Sequence, residues 1–233
     1  MGERLPEAAG SGYRARHVET AQEVHLRTHV SDGSSGRASL REKLRAIDCA
    51  QLLRLLEVHV NEVEEVEVWG AVPEISLREW RSHQPAPSVA IVTALVRQVA
   101  GALDALHRQG LGHFALTPDR IFMQDSAEGP QFFVSGLDRV AEIEAGELVP
   151  IEVDALSAPP EAVGLFKHSP GLRVLAWDWW SSGRVVQEFF VGRHAILLLP
   201  EDLTARLPRG SLASQRRFCL NGRPVRCGPG RWS

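Results

Sequence analysis

The sequence is poor in cysteine, and it lacks both a large charge imbalance and a long uninterrupted apolar run. Its 3 cysteines, Cys49, Cys219 and Cys227, are scattered. An odd number at such spacings fits neither a disulfide framework nor a zinc site, and indicates a reducing compartment. The 26 Lys and Arg against 29 Asp and Glu leave a net charge of -3. Because phosphates are bound by excess positive charge, a nucleic-acid-binding module is disfavoured.

The sequence also predicts no targeting signal. No apolar stretch follows Met1, so a signal peptide is not predicted, and Pro6 stands where N-myristoylation needs Ser or Thr. No apolar run approaches the ~20 residues that a transmembrane helix needs. The composition, 44% hydrophobic and 24% charged, is typical of a soluble domain that can bury a core. We therefore expect a cytoplasmic protein with no membrane partner.

The N-terminal part has the pattern of strands. Residues 12–18 and Glu23–Val30 predict two strands joined by a polar turn, and the Val-rich stretch 58–69 predicts further strands. Between them, Ser39 followed three residues later by Glu42 has the pattern of a capping box at the start of a helix.

The rest of the chain is mainly helical by pattern. An amphipathic stripe runs from Ser88 to a C-capping Gly110, two apolar stretches around residues 121–134 predict a hairpin, and a second apolar helix covers Trp177–Val191. The sequence thus predicts an α+β protein. We divide it into a β-rich part at 1–83, a linker at 84–87, a helical part at 88–207 and an irregular tail at 208–233.

Four motifs in this helical part resemble those of serine/threonine protein kinases. Residues 106–122, LHRQGLGHFALTPDRIF, are similar to the helix end and catalytic loop of that family, whose loop reads His-Arg-Asp-Leu-Lys-Pro-x-Asn-Ile. Residues 134–137 stand at the position of Asp-Phe-Gly-Leu, 159–161 at that of Ala-Pro-Glu, and 178–183 at that of Asp-x-Trp-Ser-x-Gly. The resemblance implies a two-lobed kinase-like fold, with a small β-rich N-lobe and a mainly helical C-lobe that looks truncated.

The same resemblance implies that the residues of phosphoryl transfer are missing. Ala115 stands at the position of the catalytic aspartate, and its methyl group cannot orient a hydroxyl. Arg120 and Val134 stand at the two metal-ligand positions, where a cation and an apolar side chain cannot hold Mg²⁺. We therefore expect no catalytic residue and no bound metal. Asp119 and Asp138, the nearest carboxylates, are interpreted as solvated loop residues.

The nucleotide-binding positions are equally altered. Arg27 stands for the ATP-anchoring lysine and Glu42 for its ion-pair glutamate, in a weak nucleotide site. Arginine keeps the charge but not the compact ammonium geometry. We expect that no cofactor is required and that ATP binds weakly at best.

The residues that maintain the fold in that family are retained. They are His113, Gly136, Glu161, Asp178 and Gly183. By resemblance, the Asp178 carboxylate accepts backbone N–H groups of the catalytic loop, in a core lined by Trp180 and Phe189. Gly136 allows a sharp turn with positive φ.

Three functions follow as expectations. The first is a catalytically inactive, kinase-like domain that acts as a regulatory or scaffolding module and binds a protein partner. The alternatives are a weakly active ATP-dependent serine/threonine kinase that uses displaced acids, and an unrelated α+β protein-interaction domain. A structure with Asp178 hydrogen-bonded beneath the Ala115 loop would argue against the last of these.

Overall fold

A computed structural model gives the fold of most of the chain. The residues described are 3–4, 11–18, 20–30, 35–61, 63–73, 75–84, 86–142, 153–154, 159, 170–192 and 217–218. Within these ranges the protein is mixed α+β, with four α-helices and small antiparallel sheets, as the sequence predicts. Glu161 and, apart from 217–218, the predicted tail at 208–233 lie outside the described residues.

The N-terminal part is a five-stranded antiparallel sheet in the order β1-β2-β3-β5-β4. Its strands are β1 Glu3–Arg4, β2 Ser11–Arg16, β3 Glu23–Val30, β4 Leu55–Val60 and β5 Glu64–Gly70. Arg27 of β3 pairs in register with Glu67 of β5, and His25 pairs with Trp69. Because side chains alternate along a strand, these four residues share one face of the sheet. That face is buried and unusually polar.

Helix α1, Ser35–Ala46, lies between β3 and β4 in the chain. The prediction that Ser39 caps its first turn is wrong, because the helix begins four residues earlier. Ser39 lies inside it, and its Oγ donates to the carboxylate of Glu142, 3.1 Å away. Leu44 is buried and Leu40 packs on the core, so the helical spacing of these leucines correctly predicts the buried face.

Two helices begin at serine caps. Ser76 Oγ accepts the N–H of Glu79 at the start of α2, Leu77–His83, and Ser88 Oγ accepts that of Ile91 at the start of α3, Val89–Arg108. The sequence predicts a short helical piece at residues 77–80 and a helix that starts near Ser88, and the two serine caps are found in the structure. Arg78 of α2 donates to Asp119 and Glu188, so this helix is attached to the part of the chain that follows it.

Short strands and a fourth helix complete the described fold. The strands are β6 Ile75–Ser76, β7 Leu111–Gly112, β8 Ile121–Ser126, β9 Gly129–Val134, β10 Ala141–Glu142, β11 Val153–Asp154 and β12 Arg217–Phe218. The hairpin β8–β9, which the sequence predicts, joins β6 in a three-stranded sheet, and β7 pairs with β10 and β11 with β12. Helix α4 is Pro170–Val191, which begins seven residues before the predicted Trp177.

The core lies around α3, the β8–β9 hairpin and α4. Phe189 of α4 is 2% exposed, as predicted. The prediction that Trp180 lines this core is wrong, because its side chain is 41% exposed. Trp179 is 43% exposed, whereas Trp177 is buried. A helix turns by 100° per residue, so neighbouring tryptophans cannot all face inward.

Helix α3 also bears on the expectation that no segment could span a membrane. By length and composition it is apolar enough to do so, and it is one such helix among the described residues. The expectation that the chain has no membrane partner therefore stays a prediction. In the fold, a stripe of α3 packs into the core: Leu95, Val99, Ala102, Leu103 and Leu106 are buried. The core helix of a soluble protein passes the same test of length and hydropathy.

Candidate functional site

Asp178 of α4 holds the backbone of the loop that follows β7. The residue is fully buried, and its two carboxylate oxygens accept the N–H groups of His113 and Phe114, both at 2.7 Å. Its Oδ2 also lies 2.9 Å from Nε2 of His107. These are the backbone hydrogen bonds that the motif at residues 178–183 predicts for Asp178. They act on a strained loop, since Phe114 has a φ of 54°, which a non-glycine residue rarely adopts.

The conformation of this loop also depends on Gly112 and Trp177, which both contact Phe114 and which sequence reasoning missed as loop-supporting residues. The ring of Phe114 lies over Gly112, where a Cβ would come within 2.1 Å of the ring. The same ring packs edge-to-face on Trp177. Any side chain at residue 112 would therefore displace Phe114 from under the loop. The glycine in the β7 dipeptide is the signal in the sequence that could have indicated this close approach.

His113 links the loop to the turn after β9. It is fully buried, and its Nε2 donates to the carbonyl oxygen of Ser135 at 2.8 Å while its Nδ1 accepts the N–H of Ala115 at 3.3 Å. These partners need the neutral imidazole. Burial lowers the pKa of His113 to about 4, in spite of the nearby Asp178 carboxylate. The residue is neutral at pH 7 and acts as a structural connector.

Arg120 lies across the turn at Gly136. Gly136 has a φ of 81°, as predicted, and a Cβ there would lie 2.9 Å from Arg120 Cδ and Nη1. The backbone of Arg120 is bonded to the same turn, because its carbonyl oxygen accepts the N–H of Ser135 at 2.8 Å. Glycine is therefore required here by both its conformation and its neighbour.

The three predicted chemistry positions surround this turn. Ala115 is 8% exposed and Val134 is fully buried. The backbone of Val134 bonds to Gln51 and Leu53, which precede β4, at 2.7 and 3.2 Å. Together with Arg120, these positions present two apolar side chains and a guanidinium, and none of the three can ligate a metal or accept a proton.

A small cavity lies between this turn and the polar face of the five-stranded sheet. It measures about 20 Å³ as space open to the centre of a water molecule, which is room for about one water. The residues around it include Arg27, Trp69, Val72, Ser135, Gly136 and Asp138.

Arg27 and Asp138, which both line this cavity, form an ion pair. Both side chains are buried, at 10% and 7% exposed. The prediction that Asp138 is a solvated loop residue is wrong. The left-handed Gly136 leads into a 3-10 turn at Leu137–Arg139, and this turn brings Asp138 under β3. By contrast, Asp119 is 57% exposed and both its oxygens accept from Arg78 Nε, as expected of a surface carboxylate.

The structure does not bring Glu42 to Arg27. Glu42 is exposed, and α1 instead turns its neighbour Arg41 toward the sheet. Arg41 Nε donates to Glu67 at 2.9 Å and its Nη2 donates to Glu65 at 2.6 Å. Leu40 and Leu44 orient α1 on the core. Successive residues of a helix differ by 100°, so Arg41 faces the sheet while Glu42 faces water. Gly183, the last of the predicted motif residues, lies on an exposed side of α4.

Glu67 is a buried carboxylate on this face of the sheet, and it is hydrogen-bonded to His29 and Arg41. Burial raises the pKa of its carboxyl, but the hydrogen bonds from His29 and Arg41 outweigh burial and lower the pKa to about 2. A carboxyl whose pKa is lower in the folded than in the unfolded state stabilises the fold above about pH 4.5, and this contribution disappears as the pH falls toward 2.

We therefore expect Glu67→Gln to flatten the acid dependence of stability. For the wild type, Glu67 alone should reduce the free energy of unfolding by about 3 kcal/mol between pH 4.5 and 2. Urea titrations at several pH values measure this. Glu57→Gln is the control, because Glu57 is half-exposed on β4, and it should keep the wild-type slope. Parallel curves for Glu67→Gln and the wild type would contradict the assignment.

Within the described ranges, no group of three or more His, Cys, Asp or Glu side chains is placed to hold a metal ion. Comparison with known protein families finds no model that matches this chain, and comparison with curated proteins finds no match either. The argument for a function therefore comes from the residues and their contacts.

Proposed function

We propose that this chain is a degenerate, two-lobed kinase-like domain that lacks phosphotransfer activity and acts by binding a protein partner in the cytoplasm. One observation carries the proposal. The carboxylate of Asp178 binds the backbone of the His113–Phe114 loop, while the chemistry-bearing positions around that loop hold Ala115, Arg120 and Val134. The architecture of the loop is kept and its reactive groups are absent.

Inactivity follows from what phosphoryl transfer needs. The reaction depends on positioned metal ions, a residue that orients the attacking hydroxyl, and electrostatic stabilisation of the transferred group. The displaced acids do not supply these functions. Asp119 is engaged by Arg78 at the surface, and Asp138 is paired with Arg27 in the interior. This disfavours the weakly active kinase.

The cavity between the Gly136 turn and the sheet supports weak nucleotide binding. Arg27 would have to leave Asp138 to reach a phosphate, and the buried carboxylate would then repel that phosphate. The cavity has room for about one water molecule, so a nucleotide would have to separate the sheet from the Gly136 turn. ATP is therefore a weak ligand of this domain, and one that does not need Mg²⁺.

The test combines turnover and binding on the purified full chain. We expect no transfer of radiolabelled phosphate from ATP to the protein itself or to generic substrates, and calorimetry should give the same weak or absent heat with and without Mg²⁺. Arg27→Ala serves as the matched variant. Phosphate transfer that Arg27→Ala abolishes would overturn the proposal, and so would tight ATP binding that requires Mg²⁺.

A further inference from the structure

One side of helix α4 exposes an apolar face that nothing in the described fold accounts for. Leu175, Trp179, Trp180, Phe190 and Val191 are 37–54% exposed, and together they leave on the order of 500 Å² of apolar side chain open to water. The other exposed residues of this face, Ala176, Gly183 and Gln187, carry no charge, and the half-buried Arg184 lies at its edge, where its Nη1 donates to Gln187 Oε1 at 2.6 Å. A patch of this size on a monomer marks an interaction site more often than chance exposure.

The centre of this face is a glycine, Gly183, with open space beside it. Gly183 lies midway between Leu175 and Val191, and a Cβ there would meet nothing within 4 Å. Glycine destabilises a helix interior more than any residue except proline. A gap at the centre of a helix face does serve one purpose, since it lets a second helix approach closely.

We propose that this face is the self-association surface of the protein, with two copies packing their α4 helices antiparallel across Gly183. In a two-fold arrangement the same patch meets itself. With the axis at Gly183, Trp179 faces Gln187 and Leu175 faces Val191 of the other copy. Apart from Arg184 at the edge, the residues that meet across the axis carry no charge, so like charges are not brought together at the centre of the interface.

The area favours a weak dimer of this kind. Two such faces bury about 1,000 Å², the lower limit for a specific interface. We expect such a dimer to dissociate in the micromolar range, which lies within the concentrations used for sedimentation. The inference is independent of the proposed kinase-like fold, since it rests only on α4.

Sedimentation equilibrium of the full chain from 1 to 200 μM tests the proposal. The wild type should dimerise, and Gly183→Gln should raise the dissociation constant at least tenfold. Glutamine is a better helix former than glycine and has open space at this position, so the urea midpoint of the variant should not fall. Val96→Ser, which alters an exposed apolar residue on α3, is the matched control and should dimerise like the wild type.

Tryptophan fluorescence separates this from other ways of covering the face. Quenching by acrylamide should be stronger at 1 μM, where the monomer exposes Trp179 and Trp180, than at 200 μM. A wild type that is monomeric at 200 μM would overturn the proposal, as would a dimer that Gly183→Gln leaves intact. Quenching that is weak and independent of concentration would also overturn it, and would indicate that another segment of the same chain covers the face.

Discussion

Asp178→Ala should lower the free energy of unfolding by about 3–5 kcal/mol. The substitution removes a buried acceptor from two backbone N–H groups, and each buried donor left unsatisfied costs about 1–3 kcal/mol, more where its partner was charged. The substitution also releases a strained loop. Phe114 has a positive φ, and among the described residues the carboxylate that accepts its N–H is that of Asp178. Because domains of this size are stable by only ~5–15 kcal/mol, the loss is severe.

Denaturant midpoints of three variants check this expectation. Asp178→Asn keeps one oxygen acceptor and should fall between the wild type and Asp178→Ala. Asp119→Ala removes an exposed carboxylate whose partner is Arg78, so it should change stability by less than ~0.5–1 kcal/mol. If Asp178→Ala is silent while Asp119→Ala unfolds the domain, the interpretation of residues 106–193 as a kinase-like core fails.

Asp138→Ala should cost a similar amount, about 3–5 kcal/mol, although the residue was expected to lie in solvent. The variant leaves the guanidinium of Arg27, which is 10% exposed, without the buried carboxylate that faces it. Breaking one side of a buried ion pair is much more costly than removing both sides, because the remaining charge stays in the interior and has lost its buried counter-charge.

A double-mutant cycle distinguishes this ion pair from simple loss of packing. Arg27→Met combined with Asp138→Leu replaces both charges by apolar groups of similar length, and it should recover most of the stability that Asp138→Ala loses. Urea unfolding of the wild type, of Arg27→Met, of Asp138→Leu and of the double variant gives the coupling free energy. Additive effects would mean that the two side chains do not stabilise each other across the cavity.

Local patterns explain which elements could be predicted from the sequence. The strands at Glu23–Val30 and in the β8–β9 hairpin, the start of the helix near Ser88 and the turn at Gly136 depend on residues near one another in the chain. The error at Ser39 has the same origin. Serine followed by glutamate three residues later has the pattern of a cap, but α1 begins at Ser35, and Ser39 lies inside it and donates to Glu142.

For the site, sequence alone determined that a carboxylate at residue 178 would serve the loop at 113–114, because a motif carries that information in its residue types. Only the tertiary structure decided that Asp138, not Glu42, is the partner of Arg27. That choice depends on the helical phase of α1, which points Arg41 inward, and on the left-handed Gly136, which swings Asp138 under β3. Pairings between residues more than a hundred positions apart follow from the packing of whole elements, and no local pattern encodes that packing.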